Sequence, residues 1–355
     1  MPLQGFIDWA VCSLRDLYPE PEARNMVDIL LEERTGRKGW FAVAHPDFEL
    51  CAAELPGLKD DVARLCTGEP LQYVLGFAWF YSRRFRVSPA VLIPRPETEI
   101  LVDFVLQRLA DTAYSHPAAS QGVNGGDTPR ILDLCTGSGC IAWTLALECP
   151  NASVTALDIS RDALALARTQ FPLRTPAPVS AVSGASPAAA PLATSAEAVH
   201  HPSSAGCVSG ASPTAAPAGA VSEGERVVFV EADVLDLSEK GISGDCSEMG
   251  LGKFDVIVSN PPYVMDKEKS QMRSNVLDYE PSIALFVPDD DPLIFYRAIA
   301  HHAFRLLTDR GWGIVEINSL LADQTADCFR TAGFPTVNIL PDLSGRPRFV
   351  HFSRI

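Results

Sequence analysis

Residues 130–148 read RILDLCTGSGCIAWTLALE and combine three kinds of local pattern. A short apolar run of strand length comes first, at 131–134, and an apolar run of helical length follows at 140–148. The turn between them contains Gly137 and Gly139. Glycines at a strand–helix turn let a ligand approach the backbone, and the N-terminus of the helix offers free amide groups. The segment therefore predicts a ligand-binding strand–turn–helix unit.

The alternation of strands and helices continues along the chain. Further strands are predicted at 153–157, 227–230, 254–258 and 313–317, and helices at 161–170, 292–307 and 320–332. Residues 336–340 and 349–352 have the pattern of a closing antiparallel pair. Strands that alternate with helices indicate an α/β fold, in which a mostly parallel sheet is covered by helices on both faces.

The chain divides into three parts and one insertion. Residues 1–76 contain short amphipathic helices, 77–95 a predicted hairpin and linker, and 96–355 the α/β domain. The α/β domain opens with a helix at Pro96, because proline suits the first helical position. Within this domain, residues 175–225 consist almost entirely of Ala, Ser, Pro, Gly and Val, and the hexapeptide VSGASP occurs twice. Such a composition cannot bury enough apolar surface to offset its ordering entropy, so we expect a disordered insertion.

The composition limits the class of protein. The 355 residues carry a formal net charge of −15 and no dense run of Lys and Arg, which disfavours binding to a phosphate backbone. The nine cysteines are scattered without C-x-x-C spacing, and they predict neither a disulfide framework nor a zinc site. No signal peptide and no apolar run long enough to cross a bilayer is visible. We therefore expect a cytoplasmic protein that binds no metal, no nucleic acid and no membrane.

An acidic residue, Asp158, follows the second predicted strand. A carboxylate at this position can accept hydrogen bonds from both hydroxyl groups of a ribose. It could instead cap the helix that follows, but Ser160 would fill that role better. Dinucleotide-binding folds also use a glycine-rich turn, but Trp143 stands where their third glycine would pack.

The sequence Ser259-Asn260-Pro261-Pro262-Tyr263 comes directly after the fourth predicted strand. In an open α/β sheet, ligands bind beyond the carboxyl ends of the strands. Two prolines fix the backbone and remove two amide donors, so the acceptors that remain are the Asn260 side-chain oxygen and the Pro261 carbonyl. Both can accept from one planar NH2 group, and Tyr263 offers a flat face for stacking. The alternative is a turn without function, which would require neither the Asn nor the Tyr.

Residues 260–263 resemble the motif of the amino-methyltransferases, which act on adenine, guanine or glutamine amides. Further segments narrow the resemblance to the release-factor glutamine methyltransferases: 68–76 (GEPLQYVLG), 94–99 (PRPETE), and 279–286, which begins Tyr-Glu-Pro and ends Ala-Leu-Phe. The resemblance covers nearly the whole chain except the insertion. This chain departs from the family pattern at Cys135 and Asn318, where the family usually has glycine, and at Leu321, where it has Gln. It also has Val234 after Asp233, where the family often has an aromatic residue.

The resemblance implies a Rossmann-like class I methyltransferase fold, with a seven-stranded, mostly parallel sheet whose last strand is antiparallel, and a small N-terminal helical domain. It implies S-adenosylmethionine as the methyl donor, bound by Cys135, Thr136, Gly137, Ser138, Gly139, Asp158, Asp233, Val234 and Asn260. It also implies a catalytic set made up of Asn260, Pro261, Pro262 and Tyr263. The acceptor would be the side-chain amide nitrogen of the glutamine in the Gly-Gly-Gln motif of peptide chain release factors, which the helical domain would help to recognise.

Two other functions share parts of this pattern. An N-methyltransferase that acts on adenine or guanine amino groups of nucleic acid would use the same chemistry at 260–263, but it would need a basic groove and usually a separate recognition domain. A non-catalytic binding protein could keep the fold, but it would not need an intact glycine turn and 260–263 motif. Arg95 and Glu97 would either close over the site or only open the helix at Pro96.

Deletion of residues 176–222 is expected to leave the fold and the rate of methyl transfer close to those of the parent. Loop-closure entropy grows by only about 0.6 kcal/mol per doubling of loop length, so shortening the insertion should be neutral or mildly stabilising. Thermal unfolding and steady-state kinetics on a full-length release factor would test this. A large rise in KM at unchanged thermal stability would show instead that the insertion is a binding element that folds on its partner.

Overall fold

The computed structural model describes residues 1–115, 128–171, 227–236 and 252–355. The insertion predicted at 175–225 lies outside the described residues, so its disorder remains a prediction. None of the described helices is long and apolar enough to span a membrane.

The N-terminal part of the chain forms helices α1 (Leu3–Leu14), α2 (Glu20–Thr35), α3 (Trp40–Ala44), α4 (Glu54–Leu65) and α5 (Leu71–Leu75). In the longer helices, apolar residues recur every three or four positions and give each helix one apolar face. In α1, for example, Phe6, Ala10 and Leu14 are fully buried. These apolar faces pack against one another in a hydrophobic cluster of their own.

The chain continues with a hairpin and a long helix: β1 (Phe77–Phe80), β2 (Arg83–Arg86) and α6 (Pro96–Ser115). The two turn residues of the hairpin, Tyr81 and Ser82, have φ angles of 50° and 59°, as in a type I′ turn. Tyr81 donates its backbone N–H to Glu99 (2.8 Å) and its hydroxyl to Asp103 (2.7 Å), both on α6. The hairpin is therefore fastened to α6, which begins at Pro96 as predicted.

The remaining strands are β3 (Arg130–Leu134), β4 (Ser153–Asp158), β5 (Val227–Glu231), β6 (Phe254–Ser259), β7 (Val264–Met265), β8 (Phe286–Val287), β9 (Leu307–Glu316), β10 (Thr336–Pro341) and β11 (Pro347–Ser353). The remaining helices are α7 (Cys140–Glu148), α8 (Arg161–Ala167), α9 (Ser274–Tyr279), α10 (Ile294–Leu306) and α11 (Ala322–Thr331). Strands β7 and β8 form a small parallel pair apart from the main sheet.

Seven strands form the main sheet, in the order β10-β11-β9-β6-β3-β4-β5. The strands from β9 to β5 in this order all pair in parallel. Strand β11, the last in the chain, is antiparallel to both of its neighbours, β9 and β10. The expected Rossmann-like fold, a mostly parallel seven-stranded sheet with an antiparallel last strand, is therefore confirmed.

Alternate residues of the central strand β3 pack on opposite faces of the sheet, as the two-residue period of a strand requires. Leu132 and Leu134 belong to the hydrophobic cluster that includes α10 and α11. Ile131 belongs to the second cluster, which includes α6 and α7. Helices thus cover both faces, and a hydrophobic core lies on each side of the sheet.

Strand β9 begins earlier than predicted. The sequence predicts a start at residue 313, whereas the strand begins at Leu307. Its pairing with β6 is irregular, because Leu307 is opposite Phe254 while Trp312 is opposite Val256. The polar residues in between, 308–311, bulge from the ladder, and they lack the apolar pattern from which a strand could have been predicted there.

Helix α8 ends earlier than predicted, at Ala167 instead of residue 170. Gln170 leaves the helix because its side chain is used elsewhere. Its Oε1 accepts from the backbone N–H of Arg86 (2.7 Å), and its Nε2 donates to the carbonyl of Ser138 (3.0 Å). The side chain of Gln170 therefore joins the hairpin to the glycine turn.

Replacement of Gly313 by alanine is expected to destabilise the protein strongly. A Cβ atom there would overlap the ring of Phe352 and lie 2.6 Å from the carbonyl oxygen of Ile257. That oxygen belongs to the neighbouring strand and cannot move aside without breaking the ladder. We expect Gly313→Ala to lower the free energy of unfolding by more than about 3 kcal/mol, measured by urea titration.

The same change at Gly57 is the matched control. Gly57 is exposed in α4, and no atom lies within 4 Å of an added Cβ. Gly57→Ala should therefore stabilise the protein by about 0.5–1 kcal/mol, because alanine is the better helix former. A Gly313→Ala protein as stable as the parent would contradict the described packing of β9 between β6 and β11.

Candidate active site

A cavity of about 230 Å³ opens at the carboxyl ends of β3, β4 and β6. Most residues that the sequence predicts for the site line this cavity: Cys135, Thr136, Gly137, Ser138, Asp158, Asp233, Val234, Asn260 and Pro262. Three predicted residues adjoin the lining but do not form part of it: Gly139, Pro261 and Tyr263. The parallel pairing of β3 with both β4 and β6 brings these segments together, since parallel strands end at one edge of a sheet.

The glycine turn after β3 is closed by backbone hydrogen bonds. Thr136 donates its N–H to a carbonyl of β4 (3.0 Å), and Gly139 donates to the carbonyl of Thr136 (2.8 Å). Gly137 has a φ of 53° and no atom within 4 Å of an added Cβ, so its backbone is open to the cavity. At Gly139, with φ 78°, a Cβ would lie 3.1 Å from the side chains of Ala167 and Trp143. Gly137 therefore faces the cavity, whereas Gly139 allows close packing behind the turn.

Cys135 occupies a backbone position that usually demands glycine. Its φ is 60°, in the left-handed region, which costs a residue with a side chain roughly 1–2 kcal/mol. The glycine that the resemblance implies at this position would avoid this strain. The thiol packs against the core beneath the cavity, and burial raises its pKa well above the usual value.

Asp158 ends β4 and uses both of its carboxylate oxygens. Oδ2 accepts from the N–H of Gly137 (2.8 Å) and Oδ1 from the N–H of Ser160 (2.9 Å). Ser160 caps α8 as predicted, because its hydroxyl accepts from the N–H of Ala163 (3.2 Å). Asp158 thus supports both the glycine turn and the entry to α8, so its two interpretations are not exclusive. Each of its oxygens keeps capacity for a further donor.

A second acid, Asp133, lies beneath the turn and is fully buried. The Thr136 hydroxyl donates to it (2.6 Å). Burial raises the pKa of Asp133 to about 7, although the hydrogen bond from Thr136 acts in the opposite direction. Since Asp133 does not line the cavity, it serves to hold the turn.

Asn260 is held by a chain of hydrogen bonds that leads into the protein. Its side-chain NH2 donates to the hydroxyl of Thr98 (3.1 Å), and that hydroxyl donates to Glu316 Oε2 (2.7 Å). The hydroxyl of Tyr263 donates to the other oxygen of Glu316 (3.0 Å). Within the described part of the chain, no hydrogen bond reaches Asn260 Oδ1. This oxygen is therefore left as an acceptor at the cavity.

Tyr263 is fixed at both ends. Its hydroxyl is bound by Glu316, and its carbonyl accepts from the side-chain NH2 of Asn318 (3.2 Å). The same NH2 donates to Glu268 (2.9 Å). At Asn318, where the resemblance implies glycine, the side chain therefore supports the 260–263 motif. The Tyr263 ring packs against the core, and burial followed by the charge of Glu316 raises the pKa of its phenol.

Arg95 lines the cavity and is paired with Glu280 (2.7 Å). Glu280 is only 5% exposed, and its other oxygen accepts from the N–H of Ile93 (3.2 Å). Glu97, in contrast, is exposed in the first turn of α6. The sequence left open whether Arg95 and Glu97 close over the site or only open the helix. In the structure Arg95 reaches the cavity, whereas Glu97 lies at the start of the helix.

The segments that carry the resemblance meet around the Arg95–Glu280 pair. Tyr73, from segment 68–76, donates its hydroxyl to the carbonyl of Val91 (2.6 Å). Burial and then the charge of Glu280 raise the pKa of its phenol. These contacts connect the N-terminal helices to the wall of the cavity.

Sequence reasoning missed Thr98, Glu280 and Glu316 as residues of the site. For Glu316 a signal was present: it ends β9, just as Asp158 ends β4, and an acid at the carboxyl end of a strand faces the ligand edge of the sheet. For Thr98, nothing in the local pattern indicates that its hydroxyl meets Asn260.

The lining residues fit S-adenosylmethionine, the methyl donor. Asp158 offers acceptors for ribose hydroxyls, and the open backbone at Gly137 allows a close approach. Apolar walls suited to an adenine ring come from Leu157, Ile159, Val234 and Leu235. Arg95 is the one cation among the described lining residues, and its charge is balanced by Glu280, so the cavity suits a positively charged sulfonium.

Comparison with known proteins agrees with this geometry. The family described as PrmC N-terminal domain matches residues 6–76, and the family described as methyltransferase small domain matches residues 122–186. A release factor glutamine methyltransferase from Bacteroides thetaiotaomicron is 33% identical, with 96% of each chain covered. One from Flavobacterium psychrophilum is 30% identical over 99% of this chain and 98% of that protein.

A third relative is longer than this chain. The bifunctional methyltransferase of Rickettsia bellii is 32% identical over 95% of this chain, but only 51% of that protein is covered. The two relatives matched over almost their full lengths decide the assignment. This chain belongs to the release factor glutamine methyltransferase family.

Proposed function

We propose that this chain transfers the methyl group of S-adenosylmethionine to the side-chain amide nitrogen of the glutamine in the Gly-Gly-Gln motif of peptide chain release factors. The observation that carries the proposal is the orientation of Asn260. Its NH2 is bound by Thr98, and its Oδ1 remains as an acceptor at the cavity. Such an acceptor suits a primary amide, which presents two N–H donors. The names of the relatives support release factors as the substrate class.

An amide nitrogen is a weak nucleophile because its lone pair is delocalised. S-adenosylmethionine supplies a methyl group that is already activated as a sulfonium. The chain therefore has mainly to position the acceptor, and a nitrogen held at roughly 3–3.5 Å from the methyl carbon gains much of the rate from proximity.

Two acceptors would hold the glutamine amide: Asn260 Oδ1 and the carbonyl of Pro261. Hydrogen bonds from the NH2 group to both oxygens would orient the nitrogen and draw electron density onto it. As the bond from nitrogen to the methyl carbon forms, the bond from sulfur to that carbon breaks and S-adenosylhomocysteine leaves. Because the amide proton becomes acidic only as the new bond forms, it can be released to solvent and no strong base is needed beside it. The prolines of the motif contribute by removing backbone donors that would compete for these oxygens.

For the methyl donor, we assign the turn at 135–139 and Asp158 to the ribose and methionine side, and Asp233 and Val234 to the adenine side. Supporting this, Asp233 keeps its loop in place by accepting from the N–H of Leu235 (2.8 Å). Val234 is buried beside the cavity and offers an apolar wall.

We also infer that the domain boundaries are 1–76, 77–95 and 96–355, and that the N-terminal helices help to recognise the release factor. The helices have a hydrophobic cluster of their own, which supports the first boundary. Contacts to the 263–286 region connect them to the cavity side: Tyr279 donates its hydroxyl to Thr67 Oγ1 (2.7 Å), and Arg273 is paired with Glu22 (2.6 Å).

The rival function, methylation of nucleic acid, gains no support from the described surface. The basic cluster at 83–86 is partly neutralised, because Arg83 pairs with Glu148 and Arg84 with Glu33, each at 2.6 Å. Arginines held in ion pairs are less available for phosphate groups.

Asn260→Ala is expected to lower the rate of methyl transfer by about a hundred- to a thousandfold, because the variant loses an acceptor that orients the amide. Affinity for S-adenosylmethionine should change less than about threefold, since the other lining residues remain. Single-turnover rates and calorimetry would measure the two effects. Asn338→Ala, at an exposed position of β10, is the matched control and should match the parent. An undiminished rate in Asn260→Ala would remove Asn260 from the catalytic set.

Asp158→Ala is expected to weaken binding of S-adenosylmethionine by roughly ten- to a hundredfold, the cost of lost hydrogen bonds to a charged acceptor. Because Asp158 also supports the start of α8, Ser160→Ala serves as the comparison. That variant should lose about 1 kcal/mol of stability as a cap but little affinity. If both variants lost affinity equally, Asp158 would act only through the local structure of the helix start.

A further inference from the structure

The buried carboxylate of Glu316 has no direct part in the methyl transfer described above. Glu316 is 1% exposed and does not line the cavity. Burial raises the pKa of Glu316, the hydrogen bonds from Thr98 and Tyr263 and the charge of Arg348 oppose this rise, and Arg348 itself is paired with Asp342 (3.5 Å). Among the described residues Glu316 has no ion pair of its own, and a buried carboxylate in that state is costly, so its two hydrogen bonds must compensate for the loss of water.

The hydrogen bonds of Glu316 have a fixed direction, because a carboxylate offers only acceptors. The single hydroxyl proton of Thr98 points to Glu316 Oε2 at 2.7 Å. The Thr98 oxygen therefore turns a lone pair towards Asn260. Only the NH2 end of the Asn260 amide can meet that lone pair, and it does so at 3.1 Å.

A reversed Asn260 amide would set its Oδ1 against the Thr98 lone pair and turn its NH2 towards the cavity. Two NH2 groups, one from Asn260 and one from the substrate glutamine, would then face each other without an acceptor between them. The direction of the two hydrogen bonds, from Asn260 to Thr98 and from Thr98 to Glu316, thus decides whether Asn260 presents an acceptor or a donor to the cavity.

We propose that Glu316 is a positioning residue that, through Thr98, fixes the Asn260 amide with Oδ1 towards the substrate amide. With its other oxygen Glu316 also holds the hydroxyl of Tyr263, so one buried carboxylate sets two residues of the 260–263 motif. This proposal rests on the proposed function. In it, Thr98 and Glu316 are the residues that make Asn260 specific for an NH2 donor.

The test compares two variants that differ in one hydroxyl group. Thr98→Val keeps the branched shape but breaks the chain between Asn260 and Glu316, whereas Thr98→Ser keeps the hydroxyl. We expect kcat on a full-length release factor to fall at least tenfold in Thr98→Val and to stay within threefold of the parent in Thr98→Ser. KM for the release factor and Kd for S-adenosylmethionine should change less than threefold in both.

Tyr296→Phe is the control for stability. Its hydroxyl is buried and donates to the backbone carbonyl of Glu316 (3.1 Å). Its loss therefore disturbs the same region but leaves the hydrogen bonds between the side chains of Asn260, Thr98 and Glu316 in place. Tyr296→Phe should lower the Tm about as much as Thr98→Val does but retain the kcat of the parent. A Thr98→Val protein with the kcat of the parent, or a Thr98→Ser protein as impaired as Thr98→Val, would overturn the proposal.

A second readout does not depend on turnover. In ¹⁵N-labelled full-length protein, the side-chain NH2 signals of Asn260, assigned by their loss in Asn260→Ala, should shift in Thr98→Val and not in Thr98→Ser. Unchanged signals in Thr98→Val would show that Thr98 does not orient the Asn260 amide. If the shift occurs but the parent does not methylate a release factor, the proposed function is wrong, whereas the orientation of Asn260 by Thr98 and Glu316 is supported.

Discussion

The parallel pairing of β3 with β4 on one side and with β6 on the other is the constraint on which the site depends. Leu134, the last residue of β3, is level with Leu157 in β4 and with Ser259 in β6. The Ser259 hydroxyl adds a bond to the carbonyl of Leu134 (2.7 Å) at this edge. Because three strands end side by side, the segments that follow them in the chain are forced into one cavity.

A feature of the fold or the site could be predicted from the sequence where a pattern of neighbouring residues marks it, and not where it depends on contacts between distant residues. The strands and helices around residues 130–170 are marked by apolar periodicity, and the glycine turn and Asp158 belong to that same local pattern. The 260–263 motif is equally local, because two prolines beside a strand end restrict what the backbone can do. The bond between Thr98 and Glu316 joins residues 218 positions apart, and no periodicity or spacing reports such a pairing.

The same limit applies to the lengths of elements. A pattern of apolar residues does not show that Gln170 leaves α8 to bond the hairpin and the glycine turn, since that choice is made by tertiary contacts. The resemblance to a family indicated that segment 68–76 matters but not how. The structure gives one physical reason, the bond from Tyr73 to the carbonyl of Val91 at the cavity wall.

Cys135 combines a left-handed backbone with a thiol at the wall of the cavity, and the two features have separate consequences. Oxidants and alkylating agents attack the thiolate, not the thiol. Burial raises the pKa of this cysteine, which lowers the fraction of thiolate, so the sulfur should react more slowly than an exposed thiol although it borders the cavity. The left-handed backbone also limits which residues can replace Cys135 during evolution. Branched side chains are strongly disfavoured at this φ, whereas glycine, asparagine or a small unbranched residue can be accommodated.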